Sequence, residues 1–213
     1  MQQIELNQFP NIGYLSVNLT NDQVTPILDE VRELEKDFTT GIVANQGLAG
    51  NIKKEFTLVK SKEYIEKLVL PLLIEYDKNF HYTPTLRVLT DSLPICLHEA
   101  WVNFQEKGEF NPMHNHSGVY SFVLWLQIPY HIQDEIDLGP GKLSQHPVAG
   151  HFEFQYTSSV GRIMTYAIPA DKTFENRLIL FPATLTHGVY PFYTSDQYRI
   201  SVSGNFSLNS SQP

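Results

Sequence analysis

From about Leu86 onward, the chain is written in short apolar segments, and that texture limits the fold more than any other feature. Residues 95–104, 119–128, 150–156, 162–168, 178–181 and 198–206 are rich in aromatic and β-branched side chains, with Pro and Gly between them. Each is the length of a strand, and the intervals leave little room for crossover helices. Many short strands joined this way predict a sandwich, barrel or jelly roll.

Upstream, the period changes from two to helical. Ile27, Leu28, Val31, Leu34 and Phe38 recur at helical spacing, with Thr25 and Pro26 suited to the N-cap and first turn. A second helix carries Tyr64, Ile65, Leu68, Leu72, Leu73 and Tyr76, with Ser61 placed to cap it and Pro71 expected to kink or divide it. Residues 41–50, rich in Gly and Asn, form a loop. A chain of 213 residues supports one sizeable core. The expectation is a single domain over 1–213, mainly β with N-terminal helices: about 1–85 as helical support and about 86–213 as the β core.

A formal net charge of −8 argues against a nucleic-acid backbone as partner, though a basic substrate or a small anion in a local pocket stays open. Cys96 stands alone, so no intrachain disulfide can form, and a reducing, cytoplasmic setting is expected. Met1 to Pro10 has neither a basic start nor an apolar stretch, so no secretory leader is expected there. The longest apolar run, around 119–128, is too short for a membrane span.

Eight histidines are present, and His81, His98, His131, His146 and His151 are most simply structural or surface residues. His114 and His116 differ, because Asn111-Pro112-Met113-His114-Asn115-His116-Ser117-Gly118 is a turn entering a strand. Residues two apart in extended backbone share a face, so both imidazoles can reach one ion at about 2.0–2.2 Å. Leu178-Ile179-Leu180-Phe181 reads as a buried strand ending at Pro182, with His187 directly after it. Arg199 follows twelve positions later, and Ser201 shares its face. A metal could thus hold one end of a small acid while the planar guanidinium fork holds a carboxylate at the other.

In these blocks the chain resembles the 2-oxoglutarate and iron(II)-dependent oxygenases of the double-stranded β-helix (jelly roll, cupin-like) fold, nearest to a branch common in marine bacteria and phages. The resemblance is carried by His98-Glu99-Ala100-Trp101-Val102-Asn103, residues 108–118, Phe181-Pro182 with His187, Arg199-Ile200-Ser201 and Asn205. It implies Fe(II) as cofactor, 2-oxoglutarate and O2 as cosubstrates, and hydroxylation of a primary substrate with release of succinate. That substrate is a small molecule or a protein side chain, and exposed jelly-roll edges leave room for a homodimer. The resemblance also makes His114 and His187 metal ligands, and gives Arg199, with Ser201 beside it, the far carboxylate of 2-oxoglutarate.

The chain departs from the family pattern at one position. The commoner motif is His-x-Asp or His-x-Glu, where this chain has His116. Three neutral imidazoles, Fe(II) and a 2-oxoglutarate dianion sum to zero, whereas a carboxylate ligand would give −1. Either His116 completes a three-histidine site, or an acid from elsewhere, Glu99 or Glu135, replaces it.

Trp101, Tyr120, Trp125 and Phe181 are candidates to line a dry pocket, although each taken singly also fits ordinary core packing. Asn103, two after Trp101, points either into the barrel or to solvent. Two readings from other classes stay open: a cupin-like three-His iron dioxygenase acting without 2-oxoglutarate, which leaves Arg199 idle, and a non-enzymatic jelly-roll binding or structural protein. No phosphate loop, Gly-x-Ser-x-Gly elbow or paired-Cys zinc ribbon is present.

Overall fold

Eleven strands and three helices account for most of residues 5, 11–45, 49–86 and 94–208, which are the residues described by the computed structural model. Most of Met1 to Pro10 and part of the 41–50 loop lie outside the described residues.

The strands form two antiparallel sheets. The larger has the order β1 (Leu15–Asn18), β9 (Arg177–Pro182), β6 (Tyr120–Gln127), β11 (Arg199–Leu208), β4 (Ile95–Gln105), β3 (Glu55–Thr57), β2 (Ile42–Val43). The smaller runs β5 (Asn111–His114), β10 (Thr186–Val189), β7 (Phe152–Thr157), β8 (Ile163–Ile168). This is the double-stranded β-helix that the family resemblance implies, and a jelly roll is among the architectures expected from the segment pattern. The first 85 residues supply three short strands as well as two helices, so they extend both edges of the larger sheet.

Alternation within the central strands builds two cores from one sheet. Val102 and Phe104 of β4, Ile200 and Val202 of β11, Leu124 of β6 and Leu180 of β9 face the helices. Val123 and Trp125 of β6 and Ile179 and Phe181 of β9 face the smaller sheet, where they meet Phe152 and Phe154. With both faces covered, β6 reads as an almost unbroken apolar run, Tyr-Ser-Phe-Val-Leu-Trp-Leu-Gln. On β4 and β11 the inward positions are polar, and these are the residues that line a cavity between the sheets.

Helix α1 (Asn21–Lys36) begins five residues before the expected start at Pro26. Thr20 and Gln23 form a reciprocal capping box, and Pro26 lies inside the helix. Helix α2 (Lys62–Phe80) runs past Pro71 without dividing, because Ile65, Val69, Leu73 and Tyr76 anchor it on the sheet while Pro71 sits on the exposed side. Ser61 does not cap it with its side chain. Instead, the buried Glu30 of α1 accepts from the backbone N–H groups of Val59, Lys60 and Ser61 and from the Ser61 hydroxyl. A carboxylate there also faces the positive end of the helix. Burial raises the Glu30 pKa, but the hydrogen bonds outweigh it and leave a net lowering. No helix among the described residues is long and apolar enough to cross a membrane.

Candidate metal centre

β5 and β10 are only four residues each, and they pair so that His114 stands directly opposite His187. His116 lies just past β5, its backbone N–H bound to the Ala183 carbonyl at 2.9 Å, which turns it toward the same point. Ring centroids are 4.4 Å apart for His114 and His187, 4.8 Å for His114 and His116, and 5.2 Å for His116 and His187. One nitrogen from each ring lies within 4.8 Å of the other two. Among the described residues, this is the sole group of three or more His, Cys, Asp or Glu side chains close enough to hold a metal ion.

Hydrogen bonds set which nitrogen each ring presents. His114 Nδ1 lies 2.7 Å from the Pro112 carbonyl and His187 Nδ1 lies 2.9 Å from the Leu185 carbonyl. A carbonyl only accepts, so each Nδ1 carries the proton and each Nε2 offers a lone pair. That arrangement is typical of metal-ligating histidine. Burial and the neighbouring imidazoles keep two of the rings neutral: desolvation, then His114, lowers His116 to about 4. Desolvation likewise lowers His187 to about 3. Three converging imidazoles fit a divalent first-row metal and leave coordination positions open.

The surroundings are dry on one side. His187 is stacked on Phe152 at 5.6 Å and meets Phe181 at 4.8 Å, while His116 lies against Trp101 at 5.8 Å. Trp101, Trp125 and Phe181 line the cavity as expected. Tyr120 does not: it is packed on the helical face, its hydroxyl beside Thr83 and Asp77. The two acids considered as replacements for His116 are engaged elsewhere. Exposed Glu99 accepts from Asn205 Nδ2 at 2.8 Å. Fully buried Glu135 holds the backbone N–H groups of Tyr193 and Thr194, each at 2.8 Å, and the Thr194 hydroxyl.

Arg199 and Ser201 line the same cavity, and Arg199 is 2% exposed. Its guanidinium uses every donor on neutral acceptors. Nε and Nη2 share Gln105 Oε1 at 3.0 and 2.6 Å, Nη1 reaches the Tyr130 hydroxyl and the Gly150 carbonyl, and Nη2 also reaches the Tyr190 carbonyl. Among the described residues, no carboxylate pairs with it. A buried cation without an anion is costly. Asn103 points inward too, its Nδ2 3.2 Å from Ser201 Oγ. Gln105 and Tyr130 escape a reading of the sequence by different routes. Gln105 continues the inward alternation of Trp101 and Asn103, whereas nothing local marks Tyr130, which reaches Arg199 from beyond the end of β6.

Residues 99–205 match the family described as "Putative 2OG-Fe(II) oxygenase", about half of the chain. No curated protein matches by sequence. Among solved structures, a Pseudomonas putida prolyl-4-hydroxylase is similar over 93% of this chain and 94% of its own, at 15% identity and a TM-score of 0.54. AviO1 from Streptomyces viridochromogenes Tue57 is similar over 95% of this chain and 92% of its own, at 11% identity and a TM-score of 0.53. SnoN, a non-heme alpha-ketoglutarate-dependent epimerase from nogalamycin biosynthesis, is similar over 92% and 78%, at 13% identity and a TM-score of 0.57. At such identities these likenesses speak for the fold, and the family match speaks for the chemistry: the chain belongs to the 2-oxoglutarate- and Fe(II)-dependent oxygenases, oxidoreductases that act with O2 on a second substrate.

Proposed function

We propose that the chain is a hydroxylase-type dioxygenase in which His114, His116 and His187 hold Fe(II) and Arg199, with Ser201, seats the far carboxylate of 2-oxoglutarate. The observation that carries this reading is the unpaired, buried charge of Arg199 in one cavity with three converging imidazoles. A dianion brings charge to both poles: to the metal at its keto-acid end and to the guanidinium at its far end. Bound there, Fe(II), 2-oxoglutarate and O2 supply a two-electron oxidation in which substrate C–H, 2-oxoglutarate and O2 become C–OH, succinate and CO2.

The chain's own contribution is position and dryness. The Nδ1 hydrogen bonds to Pro112 and Leu185 fix two rings before any metal arrives. Phe152, Phe181 and Trp125 exclude water from the side facing the smaller sheet. The Nε–Nη2 edge of Arg199 is the edge that suits a carboxylate fork, and it rests on one movable side-chain oxygen, Gln105 Oε1. We read the chain as one domain, with α1 and α2 buttressing the larger sheet that carries Arg199. A cupin-like reaction without 2-oxoglutarate would leave that charge unmatched, and family membership weighs against a purely structural jelly roll.

The test is succinate formation from 2-oxoglutarate with added Fe(II) and O2, since turnover uncoupled from the primary substrate suffices. Succinate that depends on all three components supports the reading, and absence of 2-oxoglutarate binding to the metal-loaded chain overturns it. Incorporation of 18O from labelled O2 into an oxidised substrate separates hydroxylation from other outcomes on this fold.

A further inference from the structure

The cavity has a second pole. Glu55, Asn103 and Asn111 each carry one oxygen acceptor with no donor to match it, while the second Glu55 oxygen accepts from Asn45 Nδ2 at 3.1 Å. Glu55 Oε1, Asn103 Oδ1 and Asn111 Oδ1 are all buried without a hydrogen-bond partner among the described residues. Asn103 and Asn111 line the cavity with the histidines. Glu55 lies directly across from Asn103 in the β3–β4 pair, on the same face of the sheet. Glu55 is 1% exposed and Asn103 4%. Native proteins rarely leave such atoms unmatched, because each one forfeits the hydrogen bonds it made to water.

The place where two of them meet depends on a glycine. A Cβ on Gly50 would lie 1.9 Å from Asn111 Oδ1 and 3.4 Å from Glu55 Oε1, so the Asn111 amide stands beside Glu55 only because residue 50 has no side chain. The nearby positive charges are occupied elsewhere. Lys54 reaches Glu106 and the Tyr198 hydroxyl, and Lys53, 74% exposed, reaches Glu106 and Glu109. Burial, then the adjacent Glu109, raises the Glu55 carboxyl to about 7, as suits a group short of a counter-charge. Turning over the Asn103 or Asn111 amide supplies N–H donors but no positive charge, so the Glu55 carboxylate still lacks a counter-ion.

We propose that Glu55, Asn103 and Asn111 form the subsite for the primary substrate's positively charged nitrogen, an ammonium or guanidinium group. Such a group brings several N–H donors and one charge to a place that has acceptors and a carboxylate. The two poles then sort the reactants by charge, the anionic cosubstrate to Arg199 and the cationic substrate to Glu55. That the occupant is the oxidised substrate rests on the oxygenase reading above; the recognition of a cation does not.

The test titrates the full chain, with and without Zn(II) and in the absence of O2, with L-arginine and L-lysine against their neutral counterparts L-citrulline and L-norleucine, followed by saturation-transfer NMR. The cationic probes are expected to bind at least fivefold more tightly, with contacts at the side-chain end. Glu55→Gln, near-isosteric, is expected to abolish the preference, and Gly50→Ala to weaken both cationic probes by displacing the Asn111 amide. Arg199→Ala is expected to lose 2-oxoglutarate while keeping the preference. Equal affinities, no detectable binding of either cationic probe, or a preference that survives Glu55→Gln overturns the subsite. Loss of 2-oxoglutarate binding in the unaltered chain alongside an intact cation preference overturns the oxygenase reading alone.

Discussion

His114 and His187 face each other across the β5–β10 pair in matched poses, each ring tied through Nδ1 to the carbonyl two residues before it in the chain. Two strands of four residues thus present two Nε2 lone pairs from rigid backbone, with the tautomer chosen by carbonyls that cannot donate. A site built this way exists before the metal binds, so affinity follows the rings and not a folding transition.

His187→Ala is therefore expected to cost at least 100-fold in Fe(II) affinity while the chain stays folded. Metal content after anaerobic loading and desalting checks this, with circular dichroism as the control. Retention of one iron per chain by that variant would remove His187 from the site.

His116 is the member that departs from the family pattern, and its replacement by the family's usual acid is informative. His116→Asp is expected to hold Fe(II) at least as well as the parent, because a carboxylate adds charge at the same position. It should also weaken 2-oxoglutarate, since the site's charge falls from zero to −1 with the dianion bound. A severe loss of iron from this variant would mean that His116 supports the site without ligating.

Removing the cation at the other end separates cosubstrate from metal. Arg199→Ala should weaken 2-oxoglutarate by about 30-fold or more, the scale for truncating a buried charge pair, with Fe(II) binding unchanged. Gln105 Oε1 and the Gly150 and Tyr190 carbonyls lose their donor at the same time, so a lower melting temperature is expected too. Unchanged 2-oxoglutarate affinity, measured by calorimetry on the metal-loaded variant, would leave the cupin-like reaction as the better account.

Gln105→Glu asks the same question without truncation. A carboxylate at Gln105 would take the Nε–Nη2 edge as a bidentate pair and neutralise Arg199 from within. The substitution also sets a carboxylate oxygen against the Glu109 carbonyl in place of the Gln105 donor, so a lower melting temperature is expected alongside the new ion pair. Expected results are retained Fe(II) and 2-oxoglutarate binding weakened at least about tenfold. Full affinity in this variant would mean that the acid enters by another edge of the guanidinium.

How much of this was legible depended on whether the signal was local. The β core was, because β6, β7, β8, β9 and β11 each carry an apolar run bounded by turn residues. The histidines were, because His-x-His and a histidine just after a buried strand are patterns in the chain itself. The strands that hold them were not: β5 and β10 are short and polar, and only pairing makes them strands. Ser61 does stand at the N-cap of α2, but its side chain makes no capping bond, and the acceptor there, Glu30, comes from another helix thirty-one residues away. Glu55 left no trace at all. In Lys53-Lys54-Glu55 it looks like a surface charge, and only the register of β3 on β4 turns it inward.

That inward turn has a consequence for stability that can be measured without any ligand. Glu55 has a folded-state pKa of about 7, above the 4.5 of an unperturbed carboxyl, so the fold prefers its protonated form. The stability associated with that proton is present below pH 4.5 and is lost as pH rises through 7. Glu109 and Lys53 are the charged neighbours, and Lys53 is too exposed to offset the burial. Glu55→Gln removes the titration and adds a neutral N–H donor at that position. At pH 8 the variant is expected to be more stable than the parent by on the order of 2 kcal/mol, or about 4–8 °C in melting temperature for a chain of this size. At pH 5 the advantage should shrink to what the new N–H donor alone provides. Melting curves for both proteins at the two pH values check it, and an advantage of equal size at pH 5 and pH 8 would mean that Glu55 is not a buried, unpaired carboxylate. If the widening gap appears, Glu55 is held in place at a cost in stability, which is expected where a side chain waits for a partner from outside.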